Sequence, residues 1–540
     1  MRPSLHRALF RGALSTVILA VTVGSCTNEP PPPPPAGSIR IEAAEPGSLD
    51  PPHADDPDEI MIVRNIFRGL VDYDPRTAEV RPASATAWVI DDRAQQFTFA
   101  LRKDNKFSNG ETVKAENFVR AFTRAAASGE RSELATQFSE IDGYDDLRSG
   151  KSETLRGVRA LNDLQLRITL SAPDADFVTK LGHPVFSPVP SDETMRGQRP
   201  SWGEHPIGNG PLMVKSWRQG ENLTLVPNPN WYGVPWALTE VAYVLLSDLD
   251  LAYEQWQKGN LDWTRVPTAR LREAETQNPQ RWVRKPTDAL FYLAAVTNAS
   301  PTRNKLLRRA ISRAIDRKEI TDAVFGGLNA PATGVIPPTV PGYRRPGADA
   351  VGPCVACVYD PPAARKDLAD GKVPAGTEIL ITYPEGFRVE AWIQRIADQL
   401  HANLGVKTKL VAKRPLSDYL ANLAAIRGGA LGALSWRMDY PTPDSFLTPL
   451  LRKGQDDNYS RFDNQTYEAL MIAARSQRDE RARLRAYQQA EDLAMDEMPI
   501  IPLWWEGQFR LANLSKFDGL GMDAFGYPTL ETVRLKARTG

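Results

Sequence analysis

Residues 30–35 are six consecutive prolines. They separate a short head from a long body that cannot share one fold with it. A proline run adopts an extended left-handed rod, rising roughly 3 Å per residue, and offers no backbone donor to a helix or sheet. Before it, Arg2, Arg7 and Arg11 make a basic start, and residues 12–23 form an apolar run broken only by Ser15, Thr16 and Thr22. That run is too short to span a bilayer comfortably as a mature helix, but it has the length of a signal-peptide core. It closes on Val23-Gly24-Ser25-Cys26.

Small residues directly before a cysteine at the end of such a run resemble the bacterial lipobox. The resemblance implies that residues 1–25 are a signal peptide and that Cys26 carries the lipid as the first mature residue. Residues 26–37 are then the anchor and a stiff spacer that holds the body off the membrane. The expected location is extracytoplasmic, on the periplasmic or outer face, with the lipid in the cell membrane.

The body is about three times a common domain length, so two or three packed lobes are expected. Without the head its charge is 63 basic against 66 acidic residues. It has no basic tail or dense Lys/Arg stripe, which argues against nucleic acid as a partner. No second apolar run is long enough to cross a membrane. Cys354 and Cys357 form a Cys-x-x-Cys pair in an oxidising setting, which favours a disulfide. A zinc site would need a second Cys or His pair nearby, and a redox motif would need a helix start; Gly352-Pro353 before and Pro361-Pro362 after read as loop.

Short strands alternate with amphipathic helices, the pattern of α/β lobes. Phe97, Phe99 and Leu101 share one face of a strand, and so do Leu164, Leu166, Ile168 and Leu170. Helical spacing joins Leu307, Ala310, Ile311, Ala314 and Ile315, and again Leu484, Tyr487, Glu491 and Leu493.

Six blocks carry a more specific signal. They are Leu49-Asp50-Pro51 running on to Asn65-Ile66-Phe67-Arg68-Gly69-Leu70-Val71; Phe97-Thr98-Phe99 with Phe107-Ser108-Asn109-Gly110 and Ala115-Glu116-Asn117-Phe118-Val119; Pro206-Ile207-Gly208-Asn209-Gly210-Pro211 with Asn228-Pro229-Asn230-Trp231; Arg308-Arg309-Ala310-Ile311 with Ala314-Ile315-Asp316-Arg317; Trp436-Arg437-Met438-Asp439-Tyr440-Pro441; and Met498-Pro499-Ile500-Ile501-Pro502-Leu503. In this order they resemble family 5 of the bacterial extracytoplasmic solute-binding proteins, the dipeptide- and oligopeptide-binding proteins of ABC transporters. Arg68 stands where that family usually has Glu.

The resemblance implies an α/β, two-lobed periplasmic-binding-protein-like fold with an extra subdomain of the peptide-binding type. Lobe I would be discontinuous, from residues 38–72, 205–289 and 505–540. Residues 73–204 would form the extra subdomain and 290–504 lobe II. The implied partners are a peptide, closed between the lobes, and the permease subunits of an ABC importer with cytoplasmic ATPases. The body is expected to be monomeric, non-enzymatic and without a cofactor.

A peptide is a zwitterion, so its binder needs a carboxylate for the ammonium and a fixed guanidinium for the carboxylate. The resemblance places Asp439, three residues after Trp436, at the peptide amine. Arg437 departs from the family and is expected either to partner Asp439 or to take a ligand carboxylate. Arg388 is the candidate carboxylate-binding arginine. Asp55 and Asp56 lie in a loop expected to approach the ligand backbone, and Trp436 and Tyr440 are candidates to line the pocket.

Two other readings stay open. The resemblance also allows the same fold to bind solutes such as haem or metal chelates; a haem would recruit a histidine or a tyrosine, with Tyr440 and His53 as candidates. An extracytoplasmic hydrolase is the second, although the chain lacks a Gly-x-Ser-x-Gly elbow, a His-Glu-x-x-His pair and a phosphate-binding loop.

Overall fold

The computed structural model describes residues 37–198, 201–285, 289–346, 352–386 and 389–537. Cys26, the spacer and Arg388 lie outside the described residues.

Three sheets organise the body. A seven-stranded sheet runs in the order Trp282–Lys285, Gln508–Ala512, Trp263–Arg265, Ser38–Ala43, Glu240–Leu245, Asn222–Pro227, Leu212–Arg218. A six-stranded sheet runs Ala330–Pro331, Ile500–Trp505, Ala289–Ala295, Ala430–Arg437, Glu378–Pro384, Lys407–Lys413. A four-stranded sheet runs Ala85–Ile90, Gln96–Leu101, Gln165–Thr169, Val158–Asn162. The chain passes between the two larger sheets twice, between Lys285 and Ala289 and at Glu506-Gly507. Gly507 N–H donates to Asn329 Oδ1 at 3.0 Å and fixes the second crossing.

The four-stranded sheet follows directly from the alternation in its sequence. Phe97 pairs with Ile168 and Phe99 with Leu166, and all four are fully buried. Each such side chain contributes about 1.5–3 kcal/mol of hydrophobic stabilisation. The helix Lys305–Ala314 starts on Asn304, whose side chain accepts from the Leu306 and Leu307 amides. Its Leu307, Ala310, Ile311 and Ala314 are wholly buried against the six-stranded sheet's core.

The Gly208-Asn209-Gly210 turn owes its glycines to close packing and not to backbone angle. Neither glycine has a positive φ. A Cβ on Gly208 would meet Ile66 O at 2.0 Å, and one on Gly210 would meet Ile66 C at 2.6 Å. What the turn needs is space, because it docks on the end of the helix Pro57–Ile66, where Gly210 N–H donates to Ile66 O at 2.8 Å. Asn209, fully buried between them, bonds both the amide and the carbonyl of Arg68 at 2.9 Å. Arg68 in turn pairs with Asp72 at 2.7 Å and lies over the Trp231 ring. Burial favours neutral Asp72, but Arg68, Arg64 and Arg81 together hold its carboxyl down at about 2.

Candidate functional site

The strand Ala430–Arg437 is buried along its first half and opens at its end. There the chain turns through Met438 and Asp439 into the helix Asp444–Leu451. Ser445 clamps this corner. Its carbonyl accepts from the Trp436 indole at 2.7 Å, and its hydroxyl accepts from the Asp439 amide at 3.0 Å. Trp436 is half-buried, with its one polar atom satisfied, so its ring can offer only apolar contact.

Asp439 combines two properties that rarely coincide. Its side chain is exposed to solvent, yet protein surrounds it closely enough to strip most of its hydration. Burial pushes its pKa up to about 6, the nearby Asp457 carboxylate adds to the shift, and the Gln137 amide and the Lys180 ammonium oppose it. Gln137 comes from the 3-10 turn Ala135–Phe138, so two distant segments of the chain meet at Asp439. No ion pair forms at Asp439 or Asp457 among the described residues. Asp457 is itself raised, by burial and by Asp456.

Lys180 cannot serve as the missing cation. Its ammonium is buried and held by Glu140 at 2.5 Å, Asp174 at 2.7 Å and Asp444 at 3.5 Å. Arg475 completes the same cluster, pairing with Glu140 and with Asp174 at 3.1 Å. Beside it, Asp176 accepts from Tyr487 at 2.7 Å and pairs with Arg483 at 2.8 Å. This charged seam joins residues 140–180 to the helices after Tyr440. Tyr440 belongs to the seam: it is buried, its hydroxyl donates to Asp444 at 3.2 Å, and Lys180 lies 5.1 Å from its ring centre.

The remaining candidates scatter. Arg437 pairs with Glu506 at 2.9 Å, across the crossing between the sheets. Asp56 caps the helix Pro57–Ile66 in a reciprocal box with Glu59, which also accepts from the Asp55 amide at 3.1 Å. Both acids are exposed. His53 contacts Glu130 and Glu133, and with Asp50 and Glu130 it forms the one trio of metal-ligating type among the described residues. Arg124 lies 2.5 Å from Asp50 and 3.8 Å from Glu130, which already supplies the cation there. Cys354 and Cys357 are joined as a disulfide.

Sequence reading did not find Gln137 or Asp457. Gln137 lies about 300 residues from Asp439, and Asp457 looks like any acid in a Gly-Gln-Asp-Asp-Asn loop. Neither carries a local signal.

The model of the bacterial extracellular solute-binding proteins, family 5, matches residues 79–458. The chain belongs to this family. It is 28% identical to the dipeptide-binding protein DppE of Bacillus subtilis, over 90% of each chain. It is 27% identical to heme-binding protein A of Haemophilus influenzae, over 88% of each. Among solved structures, the unliganded open form of the periplasmic murein tripeptide-binding protein MppA superposes with a TM-score of 0.82, at 25% identity, covering 93% of this chain and 98% of that one. A second structure of MppA, from Escherichia coli, gives 0.72. The chain has the two-lobed fold of these proteins.

Proposed function

We propose that this chain is the extracytoplasmic binding component of an ABC importer, and that it captures di- or oligopeptides between its lobes and delivers them to a membrane permease. The observation that carries the reading is Asp439: a carboxylate raised by its surroundings, with no cation paired to it among the described residues, beside Asp457, which has none among them either. A peptide ammonium is the complementary group. Family membership makes the chain a solute binder, and relatives named for dipeptides and murein peptides support peptide as the solute. Closure would shift an open–closed equilibrium toward the state that buries the pair. Lobe I from residues 38–72, 205–289 and 505–540, the subdomain 73–204 and lobe II from 290–504 are the bodies that would move. Cys26 would tether the protein to the membrane by its lipid.

The test is native mass spectrometry of the protein as isolated from its host, followed by calorimetry with the peptides found. A ladder of peptide masses is expected. A single non-peptide mass would keep the family and replace the ligand. Haem is the second reading, because a relative is named for it; no histidine was brought to the Asp439 corner among the described residues, which weighs against it.

A further inference from the structure

Residues 73–204 are joined to their two neighbours by different physics. Towards the seven-stranded sheet they share one hydrophobic core. Ile39 and Ile41 on the middle strand of that sheet lie in the same buried cluster as Phe97, Phe99, Phe138, Leu166 and Ile168. Among the described residues, none of 290–504 belongs to that cluster. The core built by residues 290–505 takes in Ala78 alone from 73–204.

Towards residues 290–504 the same segment is held by charge. Arg475 pairs with Glu140 and, at 3.1 Å, with Asp174. Lys180 reaches Asp444 at 3.5 Å, and Arg483 holds Asp176 at 2.8 Å. The Tyr487 hydroxyl donates to Asp176 at 2.7 Å, and the Ala175 amide donates to the Arg475 carbonyl at 2.7 Å. Asp92 and Arg478 add an exposed pair. Asp174 and Asp444 are wholly buried, and Asp176, Lys180 and Arg475 nearly so. Parting this boundary returns its charges to water, whereas parting the shared core would expose apolar surface, so the ionic boundary is the one that can open. It is also close to all-or-none, since one missing charge strands those it held.

The boundary runs through the corner assigned to the ammonium. Asp439 stands on the 290–504 side, and Gln137, whose side chain hydrogen-bonds it, stands on the other. Gln137 is carried by the turn Ala135–Phe138, which the fully buried Phe138 fixes in the shared core. Gln137 therefore moves with residues 73–204 and Asp439 with residues 290–504, and their contact lasts only while the seam holds. We propose that the seam is an ionic latch, in which Lys180, Arg475 and Arg483 are positioning residues that hold Gln137 on Asp439 and so complete the ammonium site from across the boundary. The inference deepens the peptide reading and rests on it for the role of Asp439.

The latch is read first without ligand, by hydrogen exchange and mass spectrometry on the full-length protein. The Ala175 amide reports the boundary, and the strand Gln96–Leu101 reports the shared core. Arg475→Met should speed exchange at Ala175 at least ~10-fold and leave the strand unchanged. Arg483→Met, which removes one pair and spares the others, should do the same more weakly. Unchanged exchange at Ala175 in both variants overturns the proposal. An equal rise at Ala175 and in the strand also overturns it, because the seam would then support the fold and not a boundary.

Calorimetry with tri-alanine separates the latch from local damage. Arg475→Met should weaken binding about tenfold by lowering the fraction of molecules whose site is complete. Gln137→Leu should weaken it by removing the contact itself. Acting through one contact, the two together should cost no more than the stronger alone. Additive losses, or wild-type affinity in Arg475→Met, overturn the proposal. Gln137→Leu should also move the acid side of the binding curve to higher pH, because the lost hydrogen bond favours charged Asp439. An acid side that stays in place overturns the role of Gln137. A wild type that takes no peptide ends the peptide reading on its own, and hydrogen exchange then decides the latch by the same overturning results.

Discussion

The seam around Lys180 and the corner around Asp439 are both rich in charge, and they are treated in opposite ways. In the seam every charge has a partner: Lys180 meets three carboxylates, Arg475 meets the same three, and Asp176 is held by Arg483 and Tyr487. At the Asp439 corner Asp439 and Asp457 have no ion-pair partner among the described residues. A folded chain that can pair charges so thoroughly in one place leaves them unpaired in another only at a cost in stability. Such a cost is a common mark of a site kept ready for a ligand. Pairing therefore separates structure from function here better than burial or charge density does.

The comparison breaks if the seam can be disrupted cheaply. Lys180→Met removes the cation shared by Glu140, Asp174 and Asp444, leaving Arg475 alone with them. Breaking a buried pair in this way typically costs about 3–5 kcal/mol, to be read from chemical denaturation. The loss should be smaller at acidic pH, because burial already pushes the Asp174 carboxyl toward its neutral form and a proton can replace the missing cation. A loss under about 1 kcal/mol, the value of an exposed pair, would refute the seam as a structural element.

The Asp439 corner should respond in the opposite sense. Asp439→Asn is expected to cost peptide binding roughly 2–5 kcal/mol, the usual penalty for stranding a buried charged partner. Its unfolding midpoint should stay level or rise, since the variant removes a desolvated charge that has no partner. Asp457→Asn should do the same more weakly, because the ammonium is assigned to Asp439 and Asp457 is its neighbour. Unchanged affinity in Asp439→Asn would refute its assignment to the ammonium.

Much of this contrast could not be seen in the sequence. The alternation of Phe97, Phe99 and Leu101 and of Leu166 and Ile168 was legible because a two-residue period belongs to a single strand. The place of Asp439 was legible because its motif is short and contiguous. The seam was not: Asp174 and Arg475 are 301 positions apart, and nothing local marks either of them. Gly208 and Gly210 show the same limit from another side: the motif located the turn, but the reason for glycine, the approach of Ile66, comes from tertiary packing.

The smallest and sharpest expectation concerns pH, where binding and stability should part company. Asp439 titrates at about 6, raised by burial. An ammonium seated against it favours the charged form and lowers that value, so binding releases a proton wherever the free protein still holds one. Affinity is then complete above about pH 6 and falls by up to about tenfold per pH unit below it. It falls again above about pH 8 as the peptide amine loses its proton. The contribution of Asp439 to stability has the reverse sign. A carboxyl raised in the folded state binds protons more readily there than in the unfolded chain, so its contribution is fully favourable below the ordinary carboxylate range and is lost as pH rises through 6. Calorimetry and thermal unfolding across pH 4.5 to 8 therefore give two curves that move in opposite directions through the same midpoint. Asp439→Asn should flatten the acid limb of the binding curve and leave the alkaline limb, which belongs to the peptide. An acid limb that persists in the variant would transfer the titration to another group, with Asp457 the first to examine.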